Sequence, residues 1–173
     1  EMPKKYSFPE MQCSSCPDFQ RVGAELWGSR YCNGFPKKRK PKRFKSSDPK
    51  YKAPKWCPRR ISPPVCRIYG FADEQSREMD IFPRNRFDRK RDQYIYLSSS
   101  HYKLRLETTL GINAKTFFER SKHSDLDDFL VETDLSLGEV VEIDDGLRPY
   151  YFYYLTWSKF VPVSSFDRFS AQK

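Results

Sequence analysis

No stretch of this sequence approaches the roughly 20 consecutive apolar residues that a membrane-spanning helix needs. Residues 1–30 also lack the apolar centre of a secretory signal, so a soluble, intracellular protein is expected, with Met2 as its natural first residue. Equally absent are a Gly-rich phosphate loop, a G-x-S-x-G nucleophile elbow and an H-E-x-x-H helix. No catalytic machinery is recognisable, and no enzyme is expected. Histidine is scarce: His101 and His123 lie in different predicted elements, far along the chain, and read as surface or packing residues rather than metal ligands. Cysteine is present in an odd number, five, which in a reducing compartment argues against a disulfide framework and leaves metal binding or plain burial. No internal repeat of useful period is visible.

What the chain does have is aromatic bulk and charge. Only 38% of the 173 residues are hydrophobic and the mean hydropathy is −0.83, yet 16% are Phe, Trp or Tyr, so the expected core is small but bulky. The net charge of +9 is unevenly spread. Residues 1–70 hold 17 Lys and Arg against 5 Asp and Glu, whereas residues 71–173 hold 15 against 18. Halves of opposite sign face different partners, or each other. The expected organisation is a zinc-binding module over 1–70, with a basic Pro-rich loop at 36–55, followed by an α+β domain over 71–173.

The Gly-punctuated stretch 10–35 suits tight turns better than long helices. Val65 to Tyr69, bounded by Pro63, Pro64 and Gly70, reads as a strand. Residues 73–79 can form a short helix. Residues 94–97 and 102–106 flank Ser98-Ser99-Ser100 and suggest a hairpin, and Asn113 is placed to cap a helix near 114–121. Ser124 is placed to cap another through Leu130. The β-prone runs 139–143 and 150–157, joined across Asp144-Asp145-Gly146-Leu147-Arg148-Pro149, make a second hairpin with a longer turn. The fold class is therefore α+β: an N-terminal four-cysteine zinc module, then a mostly antiparallel β-sheet with short helices.

The cysteines follow the pattern C-x2-C-x15-C-x24-C-x8-C. A C-x2-C pair lets two thiolates wrap one ion in a tight knuckle, and zinc prefers four such soft ligands in a tetrahedron. Cys13 and Cys16 form that pair, Cys32 follows at a zinc-module distance, and the fourth ligand comes from Cys57 or Cys66. The turn-like context of Cys57, between Trp56 and Pro58, favours it, with the N–H groups of Arg59 and Arg60 as donors to its sulfur. Cys66 shares a strand face with Ile68 and behaves there as a small apolar residue. Loop-closure cost grows slowly with length, so the long insertion before Cys57 is tolerable. The expected cofactor is one structural zinc per chain, held by Cys13, Cys16, Cys32 and Cys57.

Within residues 36–55, ten Lys or Arg accompany a single acid, Asp48. Lys37, Lys38, Arg39, Lys40, Lys42 and Arg43, with Phe44 beside them, make a candidate nucleic-acid arm: clustered cations release counterions from phosphates, and an aromatic can stack on a base. The competing reading is a solvated, extended loop. Residues 124–146 are the opposite, with nine acids and no Lys or Arg. Asp125, Asp127, Asp128, Glu132 and Asp134, interleaved with apolar residues, are the candidate contact to a basic protein groove, weighed against an ordinary solvated face.

Cys13-Ser14-Ser15-Cys16-Pro17, Ser29-Arg30-Tyr31-Cys32, Pro54-Lys55-Trp56-Cys57-Pro58-Arg59-Arg60 and Arg67-Ile68-Tyr69 together resemble small cysteine-containing proteins encoded by phages and prophages of Gram-positive bacteria, most of all zinc-containing type II-A anti-CRISPR proteins. The resemblance covers residues 10–70. It implies a structural zinc with Cys57 as fourth ligand and residence in the cytoplasm of a bacterial host. It further implies a type II RNA-guided DNA endonuclease as partner, inhibited by interference with target-DNA loading. Many such inhibitors imitate DNA with an acidic surface; the basic N-terminal part departs from that pattern, and leaves guide RNA or DNA as a further contact of the basic loop. The alternative function is that of a zinc-containing nucleic-acid-binding phage protein.

Overall fold

The computed structural model describes residues 6, 8–23, 28–36, 40–79, 97–156 and 159–172. The chain forms two compact units: a smaller one of Phe8–Arg60 with Gly146–Arg148, and a larger one of Glu1–Ser7, Ile61–Asp145 and Pro149–Lys173. No helix among the described residues is long and apolar enough to cross a membrane.

The larger unit is built on a five-stranded antiparallel sheet. Its strands are β4 (Val65–Phe71), β5 (Tyr102–Thr109), β6 (Val140–Asp144), β7 (Pro149–Thr156) and β8 (Lys159–Val163), in the order β5-β4-β6-β7-β8. The expected β6–β7 hairpin forms, with Val140 opposite Tyr153 and Asp144 opposite Pro149. Gly146, at φ +86°, allows the turn. Alternation along each strand divides the side chains between two faces. On one face Phe152 and Phe160 pack against Phe117 of α2 (Ala114–Lys122), and Phe129 of α3 (Asp127–Thr133) packs edge-on against the same Phe117. On the other, Tyr69, Val140, Tyr153, Val161 and Val163 cluster with Leu97, Tyr102, Phe166 and Ala171. The aromatic bulk anticipated from composition fills this sheet core.

Asn113 caps α2 as expected, its Oδ1 accepting the Thr116 N–H at 2.8 Å. The short helix α1 (Glu74–Met79) also forms, with Asp73 Oδ1 accepting the Ser76 N–H at 2.7 Å. Ser124 does not cap α3: it sits at φ +53° between the helices, and Leu126 holds the cap position. Residues 94–96 lie outside the described residues. Ser99–His101 is a 3-10 turn leading into β5, which pairs antiparallel with β4.

The smaller unit carries a three-stranded antiparallel sheet of β1 (Phe19–Val22), β2 (Ser29–Cys32) and β3 (Lys42–Arg43) in that order. Two expectations change here. The division between units falls at residue 60 rather than 70, because β4 is hydrogen-bonded on both sides, to β5 and β6, inside the larger sheet. Nor is 36–55 wholly a solvated extended loop. β3 pairs with β2, Phe44 is buried edge-on to Phe19 and Trp56, and Ala53 and Pro54 are buried. Asp48 fastens the turn by accepting the Lys45 N–H at 2.7 Å and the Trp56 Nε1–H at 3.0 Å.

Candidate metal centre

Cys13, Cys16, Cys32 and Cys57 line one cavity of about 20 Å³ in the smaller unit. That is room for one small ion or one water. Local structure delivers each of them. Cys13 opens a 3-10 turn, Cys13–Ser15, closed by the Cys16 N–H donating to the Cys13 carbonyl at 3.0 Å, so the C-x2-C segment is the tight turn its spacing suggests. Cys32 ends β2, between Phe19 of β1 and Lys42 of β3. Cys57 follows a turn in which its own N–H donates to the Pro54 carbonyl at 3.1 Å.

The four sulfurs lie close enough to feel one another's charge. Burial first, then Cys57, Cys16 and Cys32, holds the Cys13 thiol above the ordinary thiol range, against a lowering pull from Arg30. Cys32 is also raised, by burial first; the Gly34 N–H, which donates to its sulfur at 3.4 Å, opposes this, and Cys57, Cys16 and Asp18 add to it. A cation among four such thiols reverses this balance, because it favours thiolates. By donor chemistry, four soft sulfurs lining a cavity of one-ion size are the set zinc prefers. Among the described residues, however, no group of three or more His, Cys, Asp or Glu is arranged to hold a metal ion.

Cys66 stands apart. It is fully buried on β4 of the larger unit, opposite Ile143, and burial followed by the nearby Glu142 pushes its thiol up to about 12. The Arg60 N–H, expected to donate to the Cys57 sulfur, goes to the Cys57 carbonyl instead, and the amide directed at a ligand sulfur is that of Gly34, on Cys32. Gly34 was not legible as a site residue. A Cβ there would lie 3.0 Å from Pro58 Cγ, 3.1 Å from Asp18 Oδ2 and 3.5 Å from Cys32 Sγ. Asp18 is itself held by Arg59, whose Nε and Nη2 donate to Oδ2 at 3.1 and 2.8 Å.

The smaller unit is strongly basic, with 15 Lys and Arg against 4 Asp and Glu; the larger has 17 against 19. Of the candidate nucleic-acid residues, Lys37, Lys38 and Arg39 lie outside the described residues. Lys40 is exposed, Lys42 sets its Nζ 4.4 Å from the Trp56 ring centroid, and exposed Arg43 donates to Ser29 Oγ at 3.0 Å. The acidic run of the larger unit splits by environment. Asp125, Asp127, Asp128, Glu132 and Asp134 are all exposed, on α3 or at its ends. Glu139, Glu142 and Asp144 are buried in ion pairs, Glu139 with Arg105 and the other two with Arg67 and Arg168. His101 and His123 belong to the larger unit, and Cys13, Cys16, Cys32 and Cys57 to the smaller. No protein-family model matches this chain, and no curated protein or solved structure matches it.

Proposed function

We propose that this chain is a nucleic-acid-binding protein without catalytic activity, whose smaller unit is folded by one structural zinc ion held by Cys13, Cys16, Cys32 and Cys57. The observation that carries this reading is the convergence of four thiols, from three separate stretches of sequence, on one small cavity in a unit that buries only Phe44, Ala53 and Pro54 among its described apolar residues. So few buried groups do not order a unit of this length without a staple. Four thiolates leave a zinc ion no open position, so the ion acts structurally. With the metal supplying the fold, the net basic charge is free for phosphates. The test is native mass spectrometry for one zinc per chain, followed by binding of labelled oligonucleotides to the zinc-loaded protein across salt concentrations. Loss of affinity with rising salt supports the reading; salt-independent binding, or none at low salt, refutes its nucleic-acid part.

A second reading, inhibition of a type II RNA-guided DNA endonuclease by direct binding, draws on the exposure of Asp125, Asp127, Asp128, Glu132 and Asp134 around α3. Such a surface suits a basic protein groove. An inhibitor of this kind blocks DNA cleavage only near or above equimolar ratio, and reversing the charge of Asp125, Asp127 and Asp128 weakens it. Normal cleavage in large excess of the zinc-loaded protein refutes it.

A further inference from the structure

Tyr51 is 64% exposed, yet the backbone that carries it is fixed from several sides. The Cys13 N–H donates to the Tyr51 carbonyl at 3.1 Å, and Gln12 bridges to Lys52. Arg30 Nη1 donates to the carbonyls of Lys50, at 3.2 Å, and Pro49, at 3.4 Å. An exposed aromatic ring thus stands on a segment whose backbone is hydrogen-bonded to the first cysteine. Lys50 and Lys52 flank it, both exposed, and Lys50 Nζ lies 5.4 Å from the ring centroid. The nearest acid in sequence, Asp48, is engaged by Lys45 and Trp56, which hold its carboxyl below the usual range.

We infer that Tyr51 is a stacking platform for an unpaired base of a single-stranded polynucleotide, with Lys50 and Lys52 on the adjoining phosphates; this rests on the nucleic-acid reading above. Both halves of the chemistry are present: a π face, which takes any base, and cations that track the backbone without reading sequence. A fixed carrier lowers the entropy that ordering a contact costs on binding. A duplex offers its bases only edge-on, within the grooves, so the platform discriminates against paired strands. Lys50, now over the ring, has the reach to turn to a phosphate as the base takes its place.

The experiment measures fluorescence anisotropy of labelled dT12, U12 and a DNA hairpin duplex of equal charge with the zinc-loaded full chain. Parallel titrations use Tyr51→Ala, Tyr51→Leu, Tyr51→Phe and the pair Lys50→Gln, Lys52→Gln, each checked for retained zinc. Single strands bind more tightly than the duplex, and dT12 against U12 tells DNA from RNA. Tyr51→Ala and Tyr51→Leu weaken single-strand binding by about 5- to 150-fold with an unchanged salt slope, since a π face and no charge is lost, while Tyr51→Phe stays near wild type. The lysine pair lowers the slope of log affinity against log salt by about 1.4. Salt-dependent binding that is equal for single strands and duplex, or untouched by Tyr51→Ala and Tyr51→Leu, overturns the platform and leaves the nucleic-acid reading standing. No salt-dependent binding to any of the three probes overturns both.

Discussion

Chelating the metal under reducing conditions is expected to unfold residues 8–60 while the larger sheet stays ordered. Structural zinc contributes on the order of 10–16 kcal/mol to the folding of a small thiolate module at neutral pH. Against it stands little apolar burial: Phe44, at 8% exposure, is the one large aliphatic or aromatic side chain buried among the described residues of the smaller unit, and full burial of such a side chain is worth about 1.5–3 kcal/mol. The metal term therefore decides whether this unit folds. The larger unit keeps its own core, in which Ile68, Val140, Val141, Ile143 and Tyr153 are all at 0% exposure. Hydrogen exchange read by mass spectrometry separates the two: amides of the Cys13–Ser15 turn and the β1–β2 ladder lose protection on chelation, and those of β4, β6 and β7 do not. Thiol titration gives a second readout. Four thiols become reactive together, while Cys66 lags, because it is fully buried and its thiol is pushed up to about 12. Serine at 13, 16, 32 or 57 abolishes zinc retention, and Cys66→Ser keeps it. Metal-free protein with native protection across 8–60 would falsify the whole account of the staple.

Three further outcomes are expected. Gly34→Ala places a methyl 3.0 Å from Pro58 Cγ and 3.1 Å from Asp18 Oδ2 beside the Cys32 sulfur; zinc affinity, measured by competition with a chromophoric chelator, falls roughly 10-fold, as for other changes to groups that support a ligand, and an unchanged affinity counts against the role given to Gly34. Arg67→Ala strips the main partner from Glu142, which is fully buried with Oε2 already lacking a hydrogen bond; urea unfolding of the larger unit loses about 3–5 kcal/mol, and a loss below about 1 kcal/mol would show the pair to be dispensable. Alkaline stability follows from Cys66 and Tyr69, both pushed up to about 12 from ordinary values of 9.0 and 10.0, by burial first and then Glu142. Between those values the folded state holds protons that the unfolded state has lost, so stability of the larger unit declines as pH rises from 9 to about 12, and a flat profile over that window refutes the assignment.

Several elements could be read from local pattern because local chemistry decides them. Asn113 caps a helix whatever surrounds it, the β6–β7 hairpin follows from two β-prone runs across a Gly-containing turn, and the Cys13-x2-Cys16 spacing forces a tight turn. Other elements could not. β1 and β2 are short and lie among glycines, and no alternation marks them; they exist because Phe19 pairs with Cys32 and Val22 with Ser29. β3 is two residues long inside a run of cations, and it is a strand only because β2 lies beside it. The boundary at 60 depends on β4 joining strands more than 30 residues away, and the strand character of β8 depends on its pairing with β7.

The sequence by itself determined the α+β class, the opposite charge of the two parts, the aromatic character of the core and the candidacy of Cys13, Cys16, Cys32 and Cys57, since each rests on composition, short-range periodicity or spacing. Tertiary structure alone decided that these four thiols line one cavity while Cys66 is buried in another unit, that Glu139, Glu142 and Asp144 leave the acidic run to pair with arginines, and that Phe44 is inside while Tyr51, seven residues on, is outside. The physical reason is one of range. Turns, caps and strand propensities are settled by neighbours a few bonds away, whereas burial and charge pairing depend on which distant strands meet, and chain entropy leaves that choice open until the sheets form.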